Sequence, residues 1–167
     1  LEQGAPEKTI VLKGVVRKNL KGVDVGLKID AEKFVTFLGL YLAEGFLKTG
    51  KHTNRVEISQ KTEYGRKIVK DLLADFHPDI EWKEFAQGFY TADPRLYDYL
   101  VPLGNKYSKY IPQEIKNLHA SLLEKLVTAF AIGDGRMIKS EDNGKTFGSI
   151  KEFADSHDLL SLDIGKF

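Results

Sequence analysis

The sequence predicts an α+β fold made of one αββαββα repeat and an incomplete second copy, preceded by a small β extension. Three observations predict it. An apolar helix ending in an acid and a glycine occurs twice, as FLGLYLAEG over 37–45 and VTAFAIGDG over 127–135, with the two acids ninety residues apart (134 − 44). Between them, stretches of helical periodicity alternate with pairs of short runs that alternate apolar and polar residues. After the second copy of the motif the same order restarts, then stops early. The pattern divides the chain into an extension over 1–30, a first repeat with its linker over 31–119, and an incomplete second repeat over 120–167.

The extension opens with a polar leader, followed by Thr9, Ile10, Val11 and Leu12, then Val15 and Val16. The alternation from Val23 to Ile29 reads as a strand, with Asn19-Leu20-Lys21-Gly22 as the turn before it. Lys13, Arg17, Lys18 and Lys21 make this piece basic. Asp30 is placed to cap a helix over 31–44, because its carboxylate can accept from the free N–H groups of the first turn. Gly39 and Ala43 stand four apart and share one face of that helix, so a second helix can approach backbone to backbone. Glu44 sits in the last turn, against the negative end of the helix dipole, where an acid costs free energy unless a cation offsets it.

After Gly45 come Phe46-Leu47-Lys48, a polar loop, and Arg55-Val56-Glu57-Ile58-Ser59-Gln60. Val56 and Ile58 should point to the core, with Arg55, Glu57 and Ser59 on the polar side of this first hairpin. Residues 61–76 read as an amphipathic helix with Tyr64, Ile68, Leu72 and Phe76 at spacings of four, ended by His77-Pro78-Asp79. Residues 80–85 and 89–92 flank the turn Ala86-Gln87-Gly88 and make a second hairpin. Asp93 then caps a short helix with Pro94 at its first position, carrying Leu96, Tyr99 and Leu100.

The linker over 106–115 is rich in Lys and Tyr and contains Lys109 two residues before Ile111-Pro112. Ser121-Leu122-Leu123-Glu124 has the form of a capping box and should start the second motif helix. On that helix Ala129 and Gly133 are the small pair, Asp134 the terminal acid and Gly135 the stop. A hairpin around Asn143-Gly144 follows, then the start of a helix whose Asp158-Leu159-Leu160 echoes Asp71-Leu72-Leu73. Seven residues remain after Leu160 (167 − 160), too few for a second hairpin and a last helix.

Composition narrows the chemistry. The chain has 167 residues with 42% hydrophobic and 11% aromatic content, enough for a real core. It has no cysteine, which excludes a disulfide framework, a thiolate zinc site and a cysteine nucleophile. No apolar run is long enough for a membrane helix and nothing reads as a signal peptide, so a soluble, cytoplasmic protein is expected. Net charge is +1 from 25 basic and 24 acidic residues, a weak signal for a nucleic-acid binder. Residues 1–60 hold ten Lys and Arg against seven Asp and Glu, an excess of three (10 − 7).

Two such helices packed small face to small face would bring Glu44 and Asp134 together at one end. A pair of carboxylates at two helix C-termini is a crowded negative site suited to a hard divalent cation with oxygen ligands. The structural alternative is a pair of core helices with glycine C-caps, which accounts for the small residues and leaves the repeated acid unexplained.

The two stretches resemble the LAGLIDADG motif of homing endonucleases, a family that includes the nuclease domains carried inside inteins. Residues 37–45 keep the central glycine, the following leucine, the alanine and the closing acid-glycine; residues 127–135 keep the apolar character and Gly133-Asp134-Gly135. The order helix, hairpin, helix, hairpin, helix over 31–103 extends the resemblance to that family's αββαββα half. It implies a pseudo-symmetric monomer that hydrolyses double-stranded DNA at a specific site, with Mg²⁺ or another divalent cation such as Mn²⁺ held by Glu44 and Asp134. Lys109, 25 residues before Asp134 (134 − 109), matches a lysine that enters the active site in intein-type members. The resemblance also implies that the polar sheet face lies in the DNA major groove. Its candidates are Lys48, Lys51, Asn54, Arg55, Ser59, Lys83, Gln87 and Tyr90, with Arg136, Lys139 and Lys145 from the second half. Without the N-terminal cysteine used by many inteins, the chain is not expected to be a complete splicing element. The short second half leaves open a DNA-binding module that does not cut, such as a splicing cofactor or regulator. It also leaves open an α+β domain that binds a small molecule or a protein.

Overall fold

The computed structural model describes residues 4–16, 23–105 and 108–133. The turn over 19–22, Asp134, the hairpin around Asn143-Gly144 and the helix expected from Phe153 lie outside the described residues.

The chain is α+β. It opens with β1 (Thr9–Leu12), β2 (Val15–Val16), β3 (Val23–Asp24) and β4 (Leu27–Asp30). β1 pairs with β4 and β2 with β3, both antiparallel, so the described strands of the extension form two nested two-stranded pairs. Leu12, Leu27 and Ile29 from the β1–β4 pair are buried in the same core as the first motif helix, while Val11 and Lys28, paired across the ladder, are exposed. The extension is therefore built into the core, as its alternating pattern allows.

That helix, α1 (Ala31–Glu44), begins where expected: Asp30 accepts a 3.2 Å hydrogen bond from the Lys33 backbone N–H. Phe34, Val35, Phe37, Leu38, Leu40 and Tyr41 are all buried, which surrounds the helix with apolar contacts and makes it the centre of the fold. Phe37 stacks on Phe76 with ring centroids 4.7 Å apart, and Phe34 meets Tyr99 edge-on at 5.2 Å.

α2 (Glu63–Ala74) is capped by Thr62, whose hydroxyl accepts from Gly65 N–H at 3.1 Å. Its buried residues are Gly65, Val69 and Leu73, whereas Tyr64 is 62% exposed. Of the expected stripe, Phe76 is buried just beyond the helix and Ile68 and Leu72 are half-buried, so within α2 the inward face is rotated by one position. The Thr62 cap fixes the phase, and the only small residue of the first turn, Gly65, faces inward against Thr62 and Gln60.

β5 (Gly45–Lys48), β6 (Arg55–Ser59), β7 (Lys83–Phe85) and β8 (Gly88–Thr91) form one antiparallel sheet in the order β5-β6-β8-β7. The first position of β8 needs glycine: Gly88 has φ +153°, and a Cβ there would meet the Ile58 carbonyl. Arg66 of α2 pins this hairpin, donating to the carbonyls of Gln60, Phe85 and Ala86 and pairing with Glu84 at 3.1 Å. α3 (Pro94–Leu100) follows, with Asp93 accepting from Arg95 N–H at 2.9 Å. The Arg95 side chain also pairs with Asp93 at 2.7 Å and reaches Val25 O, which ties α3 to the N-terminal extension.

After the short α4 (Gln113–Lys116) comes α5 (Ala120–Gly133). The capping box read at Ser121 is not used, because the helix already starts at Ala120. His119 Nδ1 accepts from Ser121 N–H at 3.1 Å and lies 2.8 Å from its hydroxyl, so an imidazole supplies the acceptor that the serine was expected to provide.

Candidate functional site

The site is assembled at the meeting of α1 and α5, the most extensively packed pair of elements. A Cβ placed on Gly39 would run into the Leu126 carbonyl and lie 2.8 Å from Ala129 Cβ and 2.9 Å from Phe130 N. The two backbones touch there, as a helix without a side chain permits. Gly39 and Ala129 hold the same place in their motifs, each five residues before its acid (44 − 39 and 134 − 129). Nearer the helix starts, Lys125 pairs with Glu32 at 3.8 Å. Contacts from start to start and middle to middle mean that the helices run in the same direction. Glu44 and the last residue of α5, Gly133, therefore lie at the same end of the pair.

At that end the chain passes straight from α1 into β5. Gly45 has φ −91° and ψ 155°, an extended conformation open to any residue, so its value here is steric. A Cβ on Gly45 would strike the Tyr41 ring and lie 2.6 Å from the Tyr41 carbonyl oxygen. α1 has no basic residue in its last turn. The cation comes from the linker instead: Lys109 Nζ donates to the carbonyls of Tyr41 at 2.9 Å and Gly45 at 2.6 Å. It also lies 5.1 Å from the centroid of the Tyr41 ring. A half-buried ammonium thus faces the negative end of the α1 dipole in the turn that carries the half-buried Glu44. Burial, helped by nearby Tyr97, pushes the Tyr41 phenol up to about 12, so this ring stays neutral beside the ammonium.

The sheet presents its outer face beside this end. In the ladder Lys48 pairs with Arg55, Phe46 with Glu57, Glu57 with Tyr90, and Lys83 with Tyr90. Lys48, Arg55, Ser59, Lys83 and Tyr90 consequently share one face, opposite the buried Val56, Ile58 and Phe89. Lys48 and Lys83 are exposed; Arg55, Ser59 and Tyr90 are half-buried, and the Arg55 guanidinium lies 4.2 Å from the centre of the Tyr90 ring. Lys51 and Asn54 are exposed in the connection between β5 and β6, and Gln87 is exposed in the turn before β8.

Of the expected site residues, the structure brings Glu44 and Lys109 to one place and puts five of the eight first-half surface candidates on one sheet face. Asp134, Arg136, Lys139 and Lys145 lie outside the described residues. Among the described residues no three His, Cys, Asp or Glu converge on a metal-sized space. One expectation about this face is corrected. Glu57 belongs to it by register but is 2% exposed, because it stands on an inner strand between Phe46 and Tyr90 and next to Arg55. Sequence reading also missed Tyr41 as the ring beneath Lys109; its place four residues before Gly45, one helical turn back, was the available signal.

No helix among the described residues is long and apolar enough to cross a membrane. No family model matches the chain, and no curated protein matches it significantly.

Proposed function

We propose that this chain is a metal-dependent endonuclease acting on double-stranded DNA, on the plan of the LAGLIDADG homing endonucleases its motifs resemble. The observation that carries the reading is the pair of hydrogen bonds from Lys109 Nζ to the Tyr41 and Gly45 carbonyls. It puts a cation from a distant linker in the turn that holds the motif acid. The parallel, backbone-to-backbone packing of α1 and α5 supports the second part of the reading, in which Asp134 joins Glu44 at that end.

Glu44 and Asp134 offer carboxylate oxygens with no histidine or cysteine beside them in either motif, a donor set that fits Mg²⁺ or Mn²⁺. A cation bound there would supply Lewis-acid activation of water and stabilise the leaving oxygen. The chain's own groups do the rest. Lys109 places positive charge where charge grows on the phosphate, held in position by its two carbonyl partners. Tyr41, neutral below about pH 12, packs under it without competing for the proton. Each hairpin of the sheet, β5–β6 and β7–β8, is a two-stranded ribbon of the kind a major groove admits, and Lys48, Arg55 and Lys83 neutralise phosphate or reach base edges from it.

One observation favours a second reading, a DNA-binding module that does not cut. Two of the three Lys109 N–H bonds go to main-chain carbonyls, as a purely structural cap would require. Nicking of plasmid DNA with and without Mg²⁺ separates the two. Cutting that needs Mg²⁺ and disappears in Glu44→Gln supports the nuclease; retention of DNA with no cutting under any divalent cation supports the binder.

A further inference from the structure

Glu57 is the buried acid that the proposed chemistry leaves unused. It is 2% exposed, and its Oε2 accepts no hydrogen bond from any described group. It stands on the inner strand β6, paired with Phe46 of β5 on one side and Tyr90 of β8 on the other. The nearest cation along its own strand, Arg55, is turned onto the Tyr90 ring at 4.2 Å, and among the described residues no ion pair joins Glu57. The face is otherwise cationic or neutral, with Lys48, Arg55 and Lys83 around it.

A buried carboxyl oxygen without a donor is costly, and natural interiors seldom leave one. Its position decides what donor would suit it. A carboxylate set among phosphates would be repelled, so the middle of a phosphate-binding face is where an acid can be tolerated only if it meets base edges. In the major groove the exocyclic amino group of cytosine is a donor without an adjacent acceptor, whereas adenine sets its N7 acceptor beside its amino group. An acceptor-only side chain therefore prefers cytosine.

We propose that Glu57 is a specificity-determining residue that reads one cytosine through its N4 amino group. This rests on the proposed DNA-binding function. A duplex docked on this face would compete with the Tyr90 ring for Arg55, and a base edge meeting the face would supply the donor that the Glu57 Oε2 lacks.

The test selects, from duplexes randomised through a central window, those retained by the chain at low salt in EDTA, where nothing is cut. The wild type, Glu57→Gln and Glu57→Ala are compared by sequencing the retained pools and by thermal melting. The expected result is one position rich in cytosine for the wild type, moved to adenine in Glu57→Gln, since an amide can bond N6 and N7 together. In Glu57→Ala the preference there falls by about tenfold or more, with other positions unchanged. Identical consensus sequences for the wild type and Glu57→Gln, with that variant folded, would overturn the inference and leave DNA binding standing. A wild type that retains no duplex would overturn the DNA-binding function itself, and this inference with it. The near-isosteric Glu57→Gln decides the matter even if the alanine variant does not fold.

Discussion

Lys109 Nζ lies 2.6 Å from the carbonyl oxygen of Gly45, 64 residues earlier in the chain. That bond joins the linker to the end of the first motif helix, and its second partner, the Tyr41 carbonyl, belongs to the same last turn. Replacing Lys109 with Met keeps most of the stem and removes the donor. Two carbonyls lose a charged partner, so stability should fall by about 1–3 kcal/mol in urea unfolding. A loss near zero would mean that water serves these carbonyls equally well.

Gly39 offers a prediction whose sign is informative. At an exposed helix position Gly→Ala stabilises by about 0.5–1 kcal/mol. Here the added methyl meets the Leu126 carbonyl and Ala129, so Gly39→Ala should instead destabilise by about 1–3 kcal/mol. Denaturation midpoints for the wild type, Gly39→Ala and Ala43→Gly would check it. A gain in stability at Gly39 would mean the helices are farther apart than described.

The buried Tyr41 phenol, held up at about 12, makes stability depend on alkaline pH. The folded state keeps this proton more tightly than the unfolded chain, whose tyrosine titrates near 10. The contribution is therefore complete below about pH 10 and is lost as pH rises through about 12. Burial, with Glu114 as the lesser cause, raises Tyr99 in the same direction. Tyr41→Phe should flatten the fall of the urea midpoint between about pH 10 and 12 without abolishing it, and an unchanged slope would contradict the assignment.

The outer sheet face predicts how binding responds to salt. Lys48 and Lys83 are exposed on the same face as Arg55. Each substitution to alanine should weaken retention of unselected duplex and reduce the salt slope of binding by about one phosphate contact. Lys33, which pairs with Asp75, is the control and should leave the slope unchanged.

Local signals made much of this architecture readable in advance. Asp30 and Gly45 mark the ends of α1 by chemistry confined to a few residues, and the β5–β6 and β7–β8 hairpins follow from period-two alternation. Asp93 and Pro94 likewise announce α3. What escaped depends on distant partners. The phase of α2 is set by which small residue must face inward, and the start of α5 by the His119 ring. Glu57 has the alternation of an exposed residue, and it is buried because its strand is an inner one on which it stands between Phe46 and Tyr90. Nothing near Lys109 in sequence points to Tyr41 or Gly45; only the family resemblance suggested a place for it beside the first motif.

The most direct test of the central claim, that the acid before Gly45 and the lysine bound to Gly45 serve DNA hydrolysis, is end-sequencing of a randomised duplex library after incubation with the chain. The wild type in Mg²⁺ should yield new ends clustered at one sequence, and Glu44→Gln, Asp134→Asn and the wild type in EDTA should yield none. No new ends with the wild type in Mg²⁺, or the same ends with Glu44→Gln, would contradict it.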